Sequence, residues 1–466
     1  MDETSLRAQL ELAVSAEPPL GHLVGNSLRA GRRLRRRRRA TGAASLSAAA
    51  VVLVGVVPAL TAGAGHQASR PRPAVAPEAG TAYVASGSTV TPISLATNTP
   101  GTPIQVPEGD AGPFPITAAT SPNGRTVYEV GESAAQQVVT VTPIDTATNT
   151  AAPTITIKGA YDPQAFVVAP DGKTAYLSAP TGLFRISTAT NTVSKAPECK
   201  SWYGQERWRN GDCWPMAFTP NGDTLYVCTD TTPRNGGRIV TAIPTTSDGP
   251  PTRIRLPLAG NEPGFPYFIA ITPNGQTAYV LDEVAGAKPG LTTVVPIKVA
   301  TNTPLAPIKI WAPGTTEGLV IAPDSRTAYV LSSRAVTAVN TATDQAEATI
   351  KLPEAAGNAY SMVLAPNGKT LYVLTPRGVV PIRTASGTVL PTIKVPYLYA
   401  FDVIAITPDS RTIYVGANIT KGFRKVKQLR VPVIAARGIV PISTATNTAG
   451  HFINLGGDPF SITFAP

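Results

Sequence analysis

One eight-residue pattern recurs along the chain, and no other feature narrows the fold as much. It reads SPNGRTVY ending at Tyr128, APDGKTAY at Tyr176, TPNGDTLY at Tyr226 and TPNGQTAY at Tyr279. It continues as APDSRTAY at Tyr329, APNGKTLY at Tyr372 and TPDSRTIY at Tyr414. Successive tyrosines stand 42 to 53 residues apart, the period of four-stranded propeller blades. Each copy has the chemistry of a tight hairpin. Pro sets φ at the first turn position, Asn or Asp suits the second, and Gly supplies positive φ before the next strand. Ser325 and Ser410 replace that Gly, at an expected small local cost. The Thr-x-Tyr that follows alternates faces as a half-buried strand does.

A second signature follows each tyrosine. It reads TPISLATNT (91–99), TPIDTATNT (142–150), FRISTATNT (184–192), VPIKVATNT (295–303) and VPISTATNT (440–448). Looser copies are TAVNTATDQ (337–345), VPIRTASGT (380–388) and TAIPTTSDG (241–249). These segments are expected to form strand C and the C–D turn of each blade, with Asn in left-handed geometry. Pro92, Pro143, Pro296, Pro381 and Pro441 then fall inside an internal strand, where Pro is disfavoured; a strand start or a bulge is the expected remedy.

The chain ends complete one another. PFSITFAP (459–466) is an A strand cut at its turn, and GTAYV (80–84) is a B strand with no A strand before it. The reading is an all-β, eight-bladed propeller closed three-plus-one by its termini, with seven blades as the alternative. These repeats resemble the YVTN-type β-propeller family of bacterial and archaeal surface or periplasmic proteins. The tetrapeptides at the name-giving position here are YVAS, YEVG, YLSA, YVCT, YVLD, YVLS, YVLT and YVGA. The resemblance covers about 80–466 and implies an exported binding or scaffold module, while fold alone does not fix function.

The segment before the repeats points the same way. Residues 40–69 carry no charged side chain, and 43–65 reads as a transmembrane helix. Residues 1–43 hold nine Arg against four acids and are expected to stay in the cytoplasm as a basic tail (1–42). A cleaved signal peptide and a nucleic-acid-binding tail are the alternatives. The Pro/Ala-rich stretch 66–79 reads as a stiff spacer before the domain at 80–466. Arg70 and Arg72 add two more charges, and from Glu78 onward there are 29 basic and 25 acidic residues, so the propeller region carries only +4 of the net +11.

Propeller topology puts the A–B and C–D turns on one face and the B–C and D–A loops on the other. The long segments 194–212, 230–237, 282–290 and 417–436 all belong to the second face, where binding is expected. The insertion ECKSWYGQERWRNGDCWP (198–215) on that face holds Trp202, Tyr203, Arg207, Trp208, Arg209 and Trp214, side chains suited to stacking and hot-spot contacts; a small aromatic core is the structural alternative. Cys199 and Cys213 bracket it and are expected to pair in an oxidising compartment. Cys228 reads as a buried free thiol, with Cys213 as its alternative partner. The stretch 418–432, with Lys421, Arg424 and Lys425, reads as a basic loop that attracts an anionic polymer or simply stays solvated. Asn418-Ile419-Thr420 also fits a glycosylation sequon.

Enzymatic motifs are absent from the sequence. His451 is the single His of the propeller region, and no HExxH, GxSxG, P-loop or CxxCH occurs. The expectation is therefore a monomeric, membrane-anchored, non-catalytic propeller, with no cofactor or metal, holding a cell-envelope polymer or protein partner. The alternatives are a lactonase- or lyase-like enzyme using Asp230, Asp282, Glu283 and Glu317, with or without Ca²⁺, and a single-stranded nucleic-acid binder.

Overall fold

The computed structural model describes residues 80–466 apart from 108–116, 134–137, 162, 180, 197–214, 231–238, 248, 258–263, 285–290, 312–313, 396–402 and 427–428. The tail, the apolar stretch and the spacer (1–79) lie outside the described residues. Among the described residues no helix is long and apolar enough to cross a membrane.

The described strands form eight antiparallel sheets, each ordered D-C-B-A from rim to centre. Seven are continuous in sequence. The eighth pairs the chain ends: Thr81–Ser86 (strand B of blade 1) lies between Thr89–Ser94 (C) and Pro459–Ala465 (A). Tyr83 sits opposite Thr463 and Ala85 opposite Ser461. This is the expected three-plus-one closure, in a ring of eight. The A strands of successive blades stand side by side around the centre.

Each sheet buries both faces against its neighbours, so the apolar core is a set of seams between blades. Tyr128 and Val130 of blade 2, for example, pack with Phe166 and Leu177 of blade 3. The outermost strands present an edge, and Lys158, Lys195, Lys309, Lys351 and Lys394 are exposed along it. Lysines on an edge strand discourage pairing with a foreign strand.

The strand-C prolines are accommodated in an unexpected place. Pro92, Pro143, Pro296, Pro381 and Pro441 pair in register with the motif tyrosines Tyr83, Tyr128, Tyr279, Tyr372 and Tyr414. Their carbonyls accept from strand D, as in Ala152 N–H to Pro143 O at 2.8 Å and Gly450 N–H to Pro441 O at 2.7 Å. A residue's N and O point to the same side of a strand, so the missing donor also faces D. Strand D is divided there: Thr150–Ala151 and Ile155–Lys158 in blade 2, Thr303–Pro304 and Ile308–Trp311 in blade 5. Where Arg185, Ala242 or Ala338 takes the proline's place, strand D is one piece: Val193–Ala196, Thr252–Arg255 or Gln345–Lys351. The break lies in the partner strand, not in the strand that carries the proline.

The two sequence signatures meet on one face. Thr188 Oγ1 donates to Gly172 O at 2.6 Å and Thr384 Oγ1 to Gly368 O at 2.7 Å, tying each C–D turn to the A–B turn of its own blade. Tyrosines then tie blade to blade. Tyr83 donates to Asn149 Oδ1 (2.6 Å), Tyr226 to Asn302 (2.5 Å), Tyr279 to Asp344 (2.7 Å) and Tyr414 to Asn98 (2.5 Å). Each acceptor belongs to the next blade and has the left-handed φ expected of its turn, 51° to 57°. The Tyr414–Asn98 bond joins the last blade to the first.

Turns also interlock. A Cβ on Gly124 would lie 2.3 Å from Pro466 Cδ, so the closing strand seats on that glycine. Ser325 and Ser410 do adopt left-handed φ, 62° and 64°, but their hydroxyls accept the backbone N–H of Asn274 (3.0 Å) and Asn367 (3.1 Å) from the preceding blade. The expected local cost is thus offset by a bond between blades. Ser410→Ala is expected to destabilise by about 1–2 kcal/mol, losing the bond and keeping the strain, whereas Ser410→Gly loses the bond and relieves the strain. Chemical denaturation of the two variants ranks them.

Burial pushes the Tyr83, Tyr226 and Tyr414 phenols up to about 12. An unfolded phenol ionises near 10, so this contribution is intact below that pH and is lost as pH rises through about 12. Thermal unfolding between pH 9 and 12 should show a steeper fall for the wild type than for Tyr83→Phe/Tyr226→Phe/Tyr414→Phe. Equal slopes would remove these phenols from the alkaline transition.

Candidate functional site

With one face occupied by short, mutually bonded turns, the B–C and D–A connections on the other face are where chain length varies. Three of the four long segments fall largely outside the described residues. Cys199, Trp202, Tyr203, Arg207, Trp208, Arg209, Cys213 and Trp214 all lie there, and so does the proposed Cys199–Cys213 pair. Cys228 is described: it is buried and free, as expected of a strand-B thiol. Burial raises its pKa beyond any range in which it would act as a thiolate.

The fourth segment is not a loop. Strands B and C of blade 8 run Thr412–Val426 and Leu429–Ser443, 15 residues each, as one long hairpin. Pairing continues past the end of the shared ladder, from Asn418↔Arg437 through Arg424↔Val431 and Lys425↔Arg430 to Val426↔Leu429. The nine residues 418–426 reach about 30 Å at roughly 3.3 Å per residue. Ile419, Val426, Leu429, Val431, Val433 and Ile434 supply β-branched and apolar positions that favour the extension. Reading the basic residues as a loop signal missed this alternation.

Lys421 sits at an irregularity of that hairpin and is exposed. Lys421, Arg424, Lys425, Lys427, Arg430 and Arg437 are its charged residues; 418–437 contains no acid. At the root, Arg437 Nε lies 2.7 Å from Asp458 Oδ1 in the connection leading to the closing strand. Asn418 Nδ2 donates to the same oxygen at 3.4 Å. Asn418 is 3% exposed, so a folded chain does not offer it as a glycan acceptor. The hairpin is therefore anchored beside the seam where the ring closes.

Of the carboxylates considered for catalysis, Asp282 and Glu317 are described with their side chains. Asp282 is fully buried on strand B of blade 5 (Thr277–Val284), in register with Thr293. Glu317, on strand A of blade 6 (Thr316–Ile321), accepts from Thr315 Oγ1 (2.6 Å) and Ser333 Oγ (2.9 Å). Asp230 and Glu283 lie on strands B of blades 4 and 5, and only their backbone is described. Among the described residues, no three His, Cys, Asp or Glu side chains group as a metal site.

One buried acid escaped the sequence reading. Glu129 is 1% exposed on strand B of blade 2 (Thr126–Ser133). Burial pushes its carboxyl up to about 8, against a smaller downward pull from the Thr142 hydroxyl. The signal was available: the residue after the motif tyrosine is Val84, Leu177, Val227, Val280, Val330, Val373 or Val415 in the other blades.

No family model matches the chain, and no curated protein matches it. Solved structures do: 1248 chains match, so the fold by itself selects no single activity. One is the dihydro-heme d1 dehydrogenase NirN in complex with DHE, with a TM-score of 0.61, 13% identity, and coverage of 84% of this chain and 76% of that one. Another is hydrazine synthase from Kuenenia stuttgartiensis, with a TM-score of 0.47, 18% identity, and coverage of 64% of this chain and 91% of that one. At these identities the likeness is one of fold. It overturns the expectation that the chain is not an enzyme, because NirN, a dehydrogenase, is built on this ring. The physical reason is that a propeller draws functional groups from loops of several blades, so a scarcity of His and of linear motifs does not exclude catalysis. The chain is an all-β, eight-bladed propeller whose fold is shared with an enzyme.

Proposed function

We propose that this chain is a YVTN-like propeller, exported and held at a membrane by residues 43–65, whose loop face binds an anionic polymer of the cell envelope. The observation that carries the reading is the blade-8 hairpin: an extension of about 30 Å with basic residues and no acid. Ordered strands present charge at a lower entropic cost than a solvated loop does. The anchor and spacer rest on the apolar run and the Arg cluster before it. On this reading the Trp/Arg segment 198–215, which links strand D of blade 3 (Val193–Ala196) to strand A of blade 4 (Met216–Phe218), adds stacking contacts.

Binding of full-length protein in detergent to poly(glycerol phosphate), measured at two salt concentrations, tests the reading. Lys421→Glu/Arg424→Glu/Lys425→Glu is expected to weaken binding at least about tenfold and to flatten the salt dependence. Affinity unaffected by the charge reversal would sink the hairpin as the site. Preference for single-stranded DNA over the glycopolymer would redirect the partner to nucleic acid.

A further inference from the structure

Glu129 stands where seven other repeats carry Val or Leu, inside an apolar seam. Its strand alternates: Tyr128 and Val130 pack on blade 3, whereas Val127 packs with Tyr83, Ala85, Val90 and Ile104 of blade 1. Period-two geometry therefore puts Glu129 in the seam between blades 1 and 2. Small residues of that seam are the neighbours of Glu129. Ala118 is its register partner on strand A (Thr117–Thr120), and Ala118 N–H crosses the seam to Ser461 Oγ at 3.0 Å. Gly131 leaves room for the carboxyl: a Cβ there would lie 3.4 Å from Glu129 Oε1 and 2.9 Å from Thr140 Oγ1.

Among the described residues, the surroundings are uncharged. Blade 1, residues 80–107 and 459–466, contains no Asp, Glu, Lys, Arg or His. Its titratable side chain is Tyr83, which bonds Asn149 at the turn face. In blade 2, Asp145 lies at that same end and bonds its own turn, and Glu132 alternates to the other side of strand B. Glu108 and Asp110 belong to a connection outside the described residues. Among the described residues, Glu129 Oε2 is buried with no hydrogen-bond partner. The other contact is Thr142, its register partner on strand C (Val138–Asp145). Thr142 Oγ1 lies 3.1 Å from Thr154 Oγ1. Thr154 is half-buried at the rim, in the break that Pro143 imposes on strand D. A line of hydroxyls thus runs from the buried carboxyl to the outer surface.

We propose that Glu129 is a proton-binding site in the seam between blades 1 and 2, reached through Thr142 and Thr154, whose occupancy sets how firmly the closing blade is held. Unloading breaks the carboxyl O–H bond. The proton passes to Thr142, whose own hydroxyl proton moves to Thr154, and Thr154 releases one to solvent water. One proton leaves, one negative charge remains in an apolar seam, and no other reactant is needed. A neutral carboxyl tolerates that seam far better than a carboxylate does.

The direction of the pH effect follows. A solvated Glu loses its proton near 4.5 and Glu129 near 8, so between those values the folded state keeps a proton the unfolded state has lost. Stability therefore falls as pH rises through this window and levels off above it. Thermal unfolding of full-length protein from pH 5 to 9 is expected to show the wild type losing on the order of 5 °C relative to Glu129→Gln and to Glu129→Val. Infrared spectroscopy gives a readout independent of stability. A protonated-carboxyl C=O band should persist at pH 7 in the wild type, disappear in Glu129→Gln and shift in Thr142→Val. A pH-independent difference in unfolding temperature, or no such band at pH 7, would overturn the proposal. If the Glu129 variants do not fold, the wild-type band and its shift in Thr142→Val decide it alone.

Discussion

The pairing of Thr81–Ser86 with Pro459–Ala465 is the constraint on which the rest depends. A propeller blade buries both faces only when a neighbour stands on each side, so an open ring would leave two seams exposed. Closing it joins residues almost four hundred positions apart, at a loop-closure cost that grows only slowly with length. The Tyr414–Asn98 bond and the seating of Pro466 on Gly124 reinforce the same junction. Blade 1 is therefore an uncharged wall built from both ends of the domain.

That closure also divides the molecule by role. One face is a network of bonds from Thr to turn carbonyl and from Tyr to turn Asn or Asp, with little freedom to vary. The other face holds connections of unequal length, including a hairpin that continues the blade-8 ladder well beyond its neighbours. Rigid turns below and variable chain above is the arrangement in which loops carry function. The same fold in NirN shows that such a ring hosts an enzyme, so neither binding nor catalysis is set by architecture.

Most of the fold was legible because each repeat restates the same local rules. Eight copies reveal strands, turns and the complementary ends without any contact being known. The prolines in strand C were also legible, but their remedy was not, since it lies in the partner strand. The 417–436 hairpin was misread because its charges suggest solvent, while its β-branched residues needed a template strand to pair with. Glu129 was visible as the one acid at an apolar repeat position, although its meaning depends on which seam it faces.

The amino-acid sequence by itself determined the repeat, the eightfold count, the three-plus-one closure and the face on which long segments gather, because turn chemistry and two-residue alternation act locally. Tertiary structure decided what depends on neighbours: which tyrosine bonds which turn, where the ladder breaks for proline, and how Ser410 replaces a glycine. It also decided that the basic segment is a strand pair and that one glutamate is sealed between the blades that close the ring. A hydrogen bond or a desolvated charge is a relation between distant residues, and only the folded chain brings them within reach.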